Sequence, residues 1–244
     1  MQQEQRTAIV TGAGKRVGAD IARALLTDGW TVLAHVHHDA DQVPDGAERV
    51  VADLAQAGCA ELIFSAARSL PPVRLLVNNA ARFAHDSFGA FSADEFNAHM
   101  AVNVVAPVAL MDRMAKHHSG GDAVIVNLLD SKVASPNPDF LSYTLSKQAL
   151  AGATELAARA FASKGIRVNA VAPSLMLQSP GQSEENFERM HTANPLGRGI
   201  EPHDVVDAIR YLVDSRTVTG QCLVIDGGQR FMQLDRDVQF LGNH

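Results

Sequence analysis

Short, nearly continuous apolar runs recur along the chain at residues 7–10, 31–34, 49–52, 75–78, 123–128, 167–171 and 222–225. Their residues are apolar in succession rather than in alternation, the pattern of parallel strands covered on both faces by helices. Longer stretches with helical spacing of apolar positions lie between them, at about 17–28, 55–70, 93–117, 142–163 and 203–214. This alternation predicts an α/β fold with a doubly wound parallel sheet of about seven strands. No internal repeat or interdomain linker interrupts it, so residues 1–244 are expected to form a single domain. One stretch, residues 174–201, lacks strong periodicity and holds Ser179, Pro180, Gly181, Pro195, Gly197 and Gly199. A loop that long inside a compact domain is usually functional. This one follows the sixth strand at its carboxyl end, which predicts a substrate-binding loop.

Composition narrows the function classes. Hydrophobic residues at 46% and charged residues at 20% suit a folded core rather than disorder. A net charge of -6 without a basic cluster argues against nucleic-acid or membrane-surface partners and for a small-molecule substrate. Cys59 and Cys222 are far apart and lack ligand spacing, so they are expected to be small core residues, with neither a disulfide framework nor a metal site. Residues 1–6 carry no apolar signal segment and no run is long enough to span a bilayer, which points to a reducing, cytoplasmic setting.

The turn after the first strand reads Thr11-Gly12-Ala13-Gly14-Lys15-Arg16-Val17-Gly18 and leads into a helical pattern. Glycines there let backbone amides approach a pyrophosphate at a helix N-terminus, so the turn is a candidate dinucleotide site. The second strand runs into His35, Val36, His37 and His38, where an NAD site would place an acidic residue for the ribose 2′-hydroxyl. Lys15, Arg16 and the histidines favour the 2′-phosphate of NADPH. Asp39 is the counter-argument and keeps NADH open.

Tyr143 and Lys147 stand four residues apart on a predicted helix and so share a face. A lysine charge near a phenol favours the phenolate and eases proton exchange near neutral pH.

At these motifs the chain resembles the short-chain dehydrogenase/reductase family. The resemblance is carried by the TGxxxRxG variant at Thr11 to Gly18, Asp53, Asn78-Asn79-Ala80, Asn103, Tyr143 with Lys147, Arg167 to Pro173, and Asp226-Gly227-Gly228. It implies a Rossmann-type fold with Tyr143 as proton donor, Lys147 lowering its pKa and binding the nicotinamide ribose, and Asn103 ordering a water that feeds Lys147. It also places Asp53 and Leu54 near the adenine, Asn79 and Ala80 near the cofactor ribose, and Pro173 beside the cofactor. A homotetramer is implied too, because helix 142–163 carries Ala149, Leu150, Ala153, Leu156, Ala157 and Ala160 on several faces.

Two departures narrow the resemblance. Arg16 replaces the middle glycine of the usual turn, and Asp130 replaces the serine usually found 13 residues before the catalytic tyrosine. Both resemble the pteridine reductase branch, as do His35 in the acidic slot and Phe83 at the position of an aromatic that stacks on a pterin ring. Phe83, Asp130, Tyr143 and Leu175 are therefore candidate substrate contacts. Ala81, Arg82, Asp39 and Ser174 depart from that branch. An ionised carboxylate at 130 would repel the charge developing on a ketone oxygen, whereas it helps place a proton on nitrogen when a C=N bond is reduced. The expected reaction is NADPH-dependent reduction of a dihydropterin. The alternatives are a general carbonyl reductase and, from another class, an NADPH-binding regulator without turnover.

Overall fold

A computed structural model describes residues 5–179 and 181–241. Residues 1–4 of the polar N-terminus and Pro180 of the expected loop lie outside the described residues. Seven strands form one parallel sheet: β1 (Thr7–Thr11), β2 (Thr31–Val36), β3 (Glu48–Val51), β4 (Val73–Asn78), β5 (Ala123–Leu128), β6 (Ile166–Pro173) and β7 (Cys222–Ile225). Their order is β3-β2-β1-β4-β5-β6-β7. Every residue of β1, β5 and β6 is buried, which explains why apolar residues follow one another in them with few polar breaks.

Alternate residues of each strand feed two cores, one on either face of the sheet. Ile9, Leu33, Leu76, Ile125 and Val168 face one side and pack with α2 (Cys59–Ala66), α4 (Ala106–His117) and α5 (Leu141–Phe161). Ala8, Val10, Val32, Leu75 and Val124 face the other and pack with α1 (Arg16–Thr27) and α7 (Pro202–Asp214). The fold class is as the sequence predicts.

Differences from the expected elements have local causes. The second helix starts at Cys59 rather than 55, because Asp53 accepts the Ala55 N–H and closes a turn ahead of it. The stretch at 93–117 is α3 (Ala93–Met100), one wide π-helical turn at Ala101–Val105, and α4. Pro107 can give no N–H to the carbonyl of Asn103, so the regular ladder is interrupted at that residue. The expected loop contains α6 (Glu184–His191), capped by Ser183 Oγ accepting the Asn186 N–H at 3.2 Å. Cys59 is buried, but Cys222 is exposed because β7 is an edge strand, which corrects the expectation of two core cysteines. Among the described residues no helix is long and apolar enough to cross a membrane.

Parallel strands put all their carboxyl ends on one edge. The glycine turn, Asn79, Asp130 and the segment after Pro173 therefore converge there.

Candidate active site

Two cavities open at that edge and share Asp130 and Tyr143. The larger, about 470 Å³, is lined by every residue that the sequence assigned to the cofactor. Gly12, Gly14, Lys15, Arg16, Val17 and Gly18 form one wall, where α1 begins with neither a side-chain cap on Lys15 nor an acidic residue in its first turn. Its amides are left for an anion. Gly12 sits at φ +66°, and a Cβ on Gly18 would lie 2.1 Å from the Gly12 carbonyl oxygen. Asn79 braces the same turn, donating from Nδ2 to the carbonyl of Thr11 at 2.9 Å. Ala80, Pro173 and Lys147 complete the inner wall, and Asp53 and Leu54 lie at the β3 end.

At the end of β2 the side chains divide. His35 is buried, with Nδ1 accepting the Gly12 N–H at 3.2 Å and Nε2 donating to the Ala52 carbonyl at 2.9 Å. Burial lowers its pKa, so it is a neutral brace for the glycine turn and not a cation for a phosphate. His37, His38 and Lys15 line the cleft beyond it. Asp39, the residue that kept NADH open, turns out to solvent and pairs with Arg49 at 3.0 Å. Asp41, which the sequence did not single out, is the carboxylate from this segment that lines the cleft. Its Oδ2 accepts the His38 N–H at 3.0 Å, which with nearby His38 and Lys15 holds its pKa below the usual carboxylate range. Arg16 has a left-handed backbone at φ 51° and gives its guanidinium to the carbonyl of Gln178 at 3.3 Å. It thus reaches the segment after β6, at the junction of the two cavities.

The reacting groups come from β5 and α5. Asp130 follows β5, and Tyr143 and Lys147 lie one turn apart on the buried face of α5. Tyr143 Oη donates to Asp130 Oδ2 at 3.1 Å, and Lys147 Nζ donates to the Leu128 carbonyl at 2.7 Å while lying 5.5 Å above the Tyr143 ring. Burial and the Asp130 carboxylate push the Tyr143 phenol well above its ordinary value of 10. Lys147 is not among the groups that shift it, which corrects the expected lowering, and Tyr143 is held as the protonated donor. Burial raises the Asp130 carboxyl and lowers the Lys147 ammonium to about 8. The Asn103 side chain binds the backbone of Arg82 on both sides, at 2.7 and 3.0 Å, and donates to Ser146 Oγ at 2.9 Å. None of these bonds goes to Lys147; the carbonyl that Pro107 leaves without its helical partner is a further acceptor on Asn103.

The second cavity, about 220 Å³, is lined by Phe83, Asp130, Tyr143 and Leu175, the four candidate substrate contacts. Phe83 stacks on Phe140 at 4.4 Å and meets Tyr143 edge-on at 4.8 Å. Its floor and far wall also include Lys132, Asn137, Asp237 and Val238, none of which the sequence singled out. They come from segments about a hundred residues apart, and no local motif marks them.

Comparison with known proteins fits this geometry. The family model described as enoyl-(acyl carrier protein) reductase matches residues 12–230. Pteridine reductase 1 of Leishmania tarentolae is 30% identical over 91% of this chain and 95% of its own length. L-xylulose reductase of Mesocricetus auratus is 34% identical over 91% of this chain and 96% of its own. The structure of FolM, alternative dihydrofolate reductase 1, from Brucella canis, complexed with NADP, superposes with a TM-score of 0.88 at 37% identity, covering 93% of this chain and 95% of that one. The family match over most of the chain shows that it belongs to the short-chain dehydrogenase/reductase family of oxidoreductases.

Proposed function

We propose that the protein is an NADPH-dependent reductase that converts a dihydropterin to its tetrahydro form. The observation that carries this reading is Asp130 in the substrate cavity, bonded to the Tyr143 hydroxyl at 3.1 Å where a ketone reductase needs a donor. The names of relatives, pteridine reductase 1 and FolM, support the same substrate class.

The larger cavity fits a dinucleotide: the uncapped start of α1 suits the pyrophosphate, and His37, His38 and Lys15 suit a 2′-phosphate. When bound, NADPH supplies the hydride. Lys147 and Asn79 would hold the ribose at the nicotinamide end. Tyr143 keeps its proton at Oη because burial and Asp130 oppose the phenolate, and it gives that proton up only when a nitrogen acquires basicity during reduction. Asp130 stabilises the protonated ring and can itself hold a proton, since burial raises its affinity for one. Phe83, backed by Phe140, offers an aromatic face to a flat heterocycle. The segment 174–201 would order over the substrate through Leu175 and the Arg16 contact to Gln178. The exposed face of α5, with Leu145 and Leu156, together with Val105 and Val108, supports assembly as a homotetramer.

One observation favours a second reading. A protonated Asp130 could donate to a carbonyl oxygen, and the similarity to L-xylulose reductase accords with carbonyl reduction. Steady-state NADPH oxidation against dihydrobiopterin, dihydromonapterin, dihydrofolate and simple ketones separates the two. A kcat/KM for a dihydropterin well above that for every ketone supports the pterin reading, and the reverse order overturns it.

A further inference from the structure

The C-terminal segment is tied to the wall of the substrate cavity by charges that the catalytic assignment leaves unused. Arg236 grips buried Asp139 through two bonds of 2.7 and 2.9 Å, and Asp139 also accepts the Asp237 N–H at 2.8 Å. This fixes Asp237 at the cavity with Oδ2 2.7 Å from Lys132 Nζ, both side chains being largely buried at 13% and 8% exposure. Lys132 Nζ also donates to Asn137 Oδ1 at 2.7 Å, and the Lys132 backbone N–H donates to Asp130 Oδ1 at 2.9 Å. The ammonium is therefore bonded to one carboxylate and within electrostatic reach of two others, Asp130 and Asp139.

We propose that Asp237 is a positioning residue for Asp130: it takes up the Lys132 ammonium from the far wall of the cavity, so that Asp130 is left free to exchange a proton with the substrate.

A buried ammonium that loses its carboxylate partner turns to the nearest acceptor, because an unpaired buried charge is costly. Asp139 is already held by Arg236 and the Asp237 N–H, so without Asp237 the carboxylate left for Lys132 is Asp130. The groups facing Asp130 are Tyr143 and Lys147 from α5, Lys132 from the turn after β5, and Asp237 from the C-terminal segment. Tyr143 is held neutral and Lys147 is bonded to the Leu128 carbonyl, so the Lys132–Asp237 pair is the balance that substitution can tip. The inference rests on the pterin reading only for the use to which the Asp130 proton is put.

The test is therefore made without substrate. In infrared difference spectra of the full-length chain, the protonated-carboxyl band of Asp130 is identified by its loss in Asp130→Asn, and its pH midpoint is followed. Substrate-panel activity, measured separately, bears on the pterin reading and leaves this titration intact. Asp237→Asn should lower the midpoint by about 1–3 pH units, the effect of an opposite charge brought alongside a carboxyl. Lys132→Met should raise it, and the double variant should return it to near the wild-type value, which a general disturbance of the segment would not do. An unchanged midpoint in Asp237→Asn, or a double variant shifted as far as that single one, overturns the proposal.

Discussion

The cofactor cleft and the substrate cavity share a wall at Asp130 and Tyr143 but are built in different ways. The cleft is made of backbone: glycines in close approach, an uncapped helix start, and His35 and Asn79 bracing the turn. The cavity is made of side-chain charges drawn together from distant segments, as where Arg236 meets Asp139. Backbone geometry can hold one nucleotide through many substitutions, whereas a set of buried charges changes its preference with each one. The cleft thus defines the family and the cavity defines the substrate.

Substitutions that touch one region alone can break or sharpen that contrast. The largest effect is expected from Tyr143→Phe, which removes the proton donor: kcat should fall by about 10²–10⁴-fold while NADPH affinity, followed by fluorescence, holds. A variant keeping half its turnover would take Tyr143 out of the chemistry. Gly18→Ala should do the reverse. Its Cβ meets the Gly12 carbonyl, so overpacking should cost about 1–3 kcal/mol of stability and weaken NADPH binding, with kcat at saturating NADPH largely kept. Thermal unfolding and a fluorescence titration read both quantities. Unchanged binding would mean that the turn is not the nucleotide wall.

A smaller, graded effect belongs to Lys147, at the seam of the two regions. Its ammonium is lowered from 10.5 to about 8, so kcat/KM for NADPH should decline about tenfold per pH unit above that value. Stability should respond with the opposite sign. The unfolded chain binds more protons at this lysine between about pH 8 and 10.5, so its contribution to stability rises with pH across that window, by about 3 kcal/mol in total. Activity that fell together with thermal stability would show unfolding rather than titration.

The same contrast explains what was legible in the sequence. Continuous apolar runs announce parallel strands because burial on both faces leaves few polar positions, and the glycine turn is readable because its demands are local. The carboxylate at position 130 was readable through its spacing from Tyr143. The roles of His35 and Asp39 were not, because whether an imidazole faces a ligand or braces a turn depends on strand register to Ala52. Helix α6 is hard to see because its sequence, Glu-Glu-Asn-Phe-Glu-Arg-Met-His, buries only Asn186 and Met190. Lys132 and Asp237 are 105 residues apart, and nothing in either neighbourhood announces the other.

The central claim is that Asp130 makes the cavity a site for protonating nitrogen rather than for stabilising an alkoxide. Asp130→Ser tests it most directly, with kcat/KM measured on a dihydropterin and on a simple ketone. Serine keeps a hydrogen bond but removes the charge, so dihydropterin reduction should fall strongly while ketone reduction stays level or improves, the restored donor suiting a developing oxyanion. Equal losses on both substrates, or a wild-type protein without dihydropterin activity, would contradict the account.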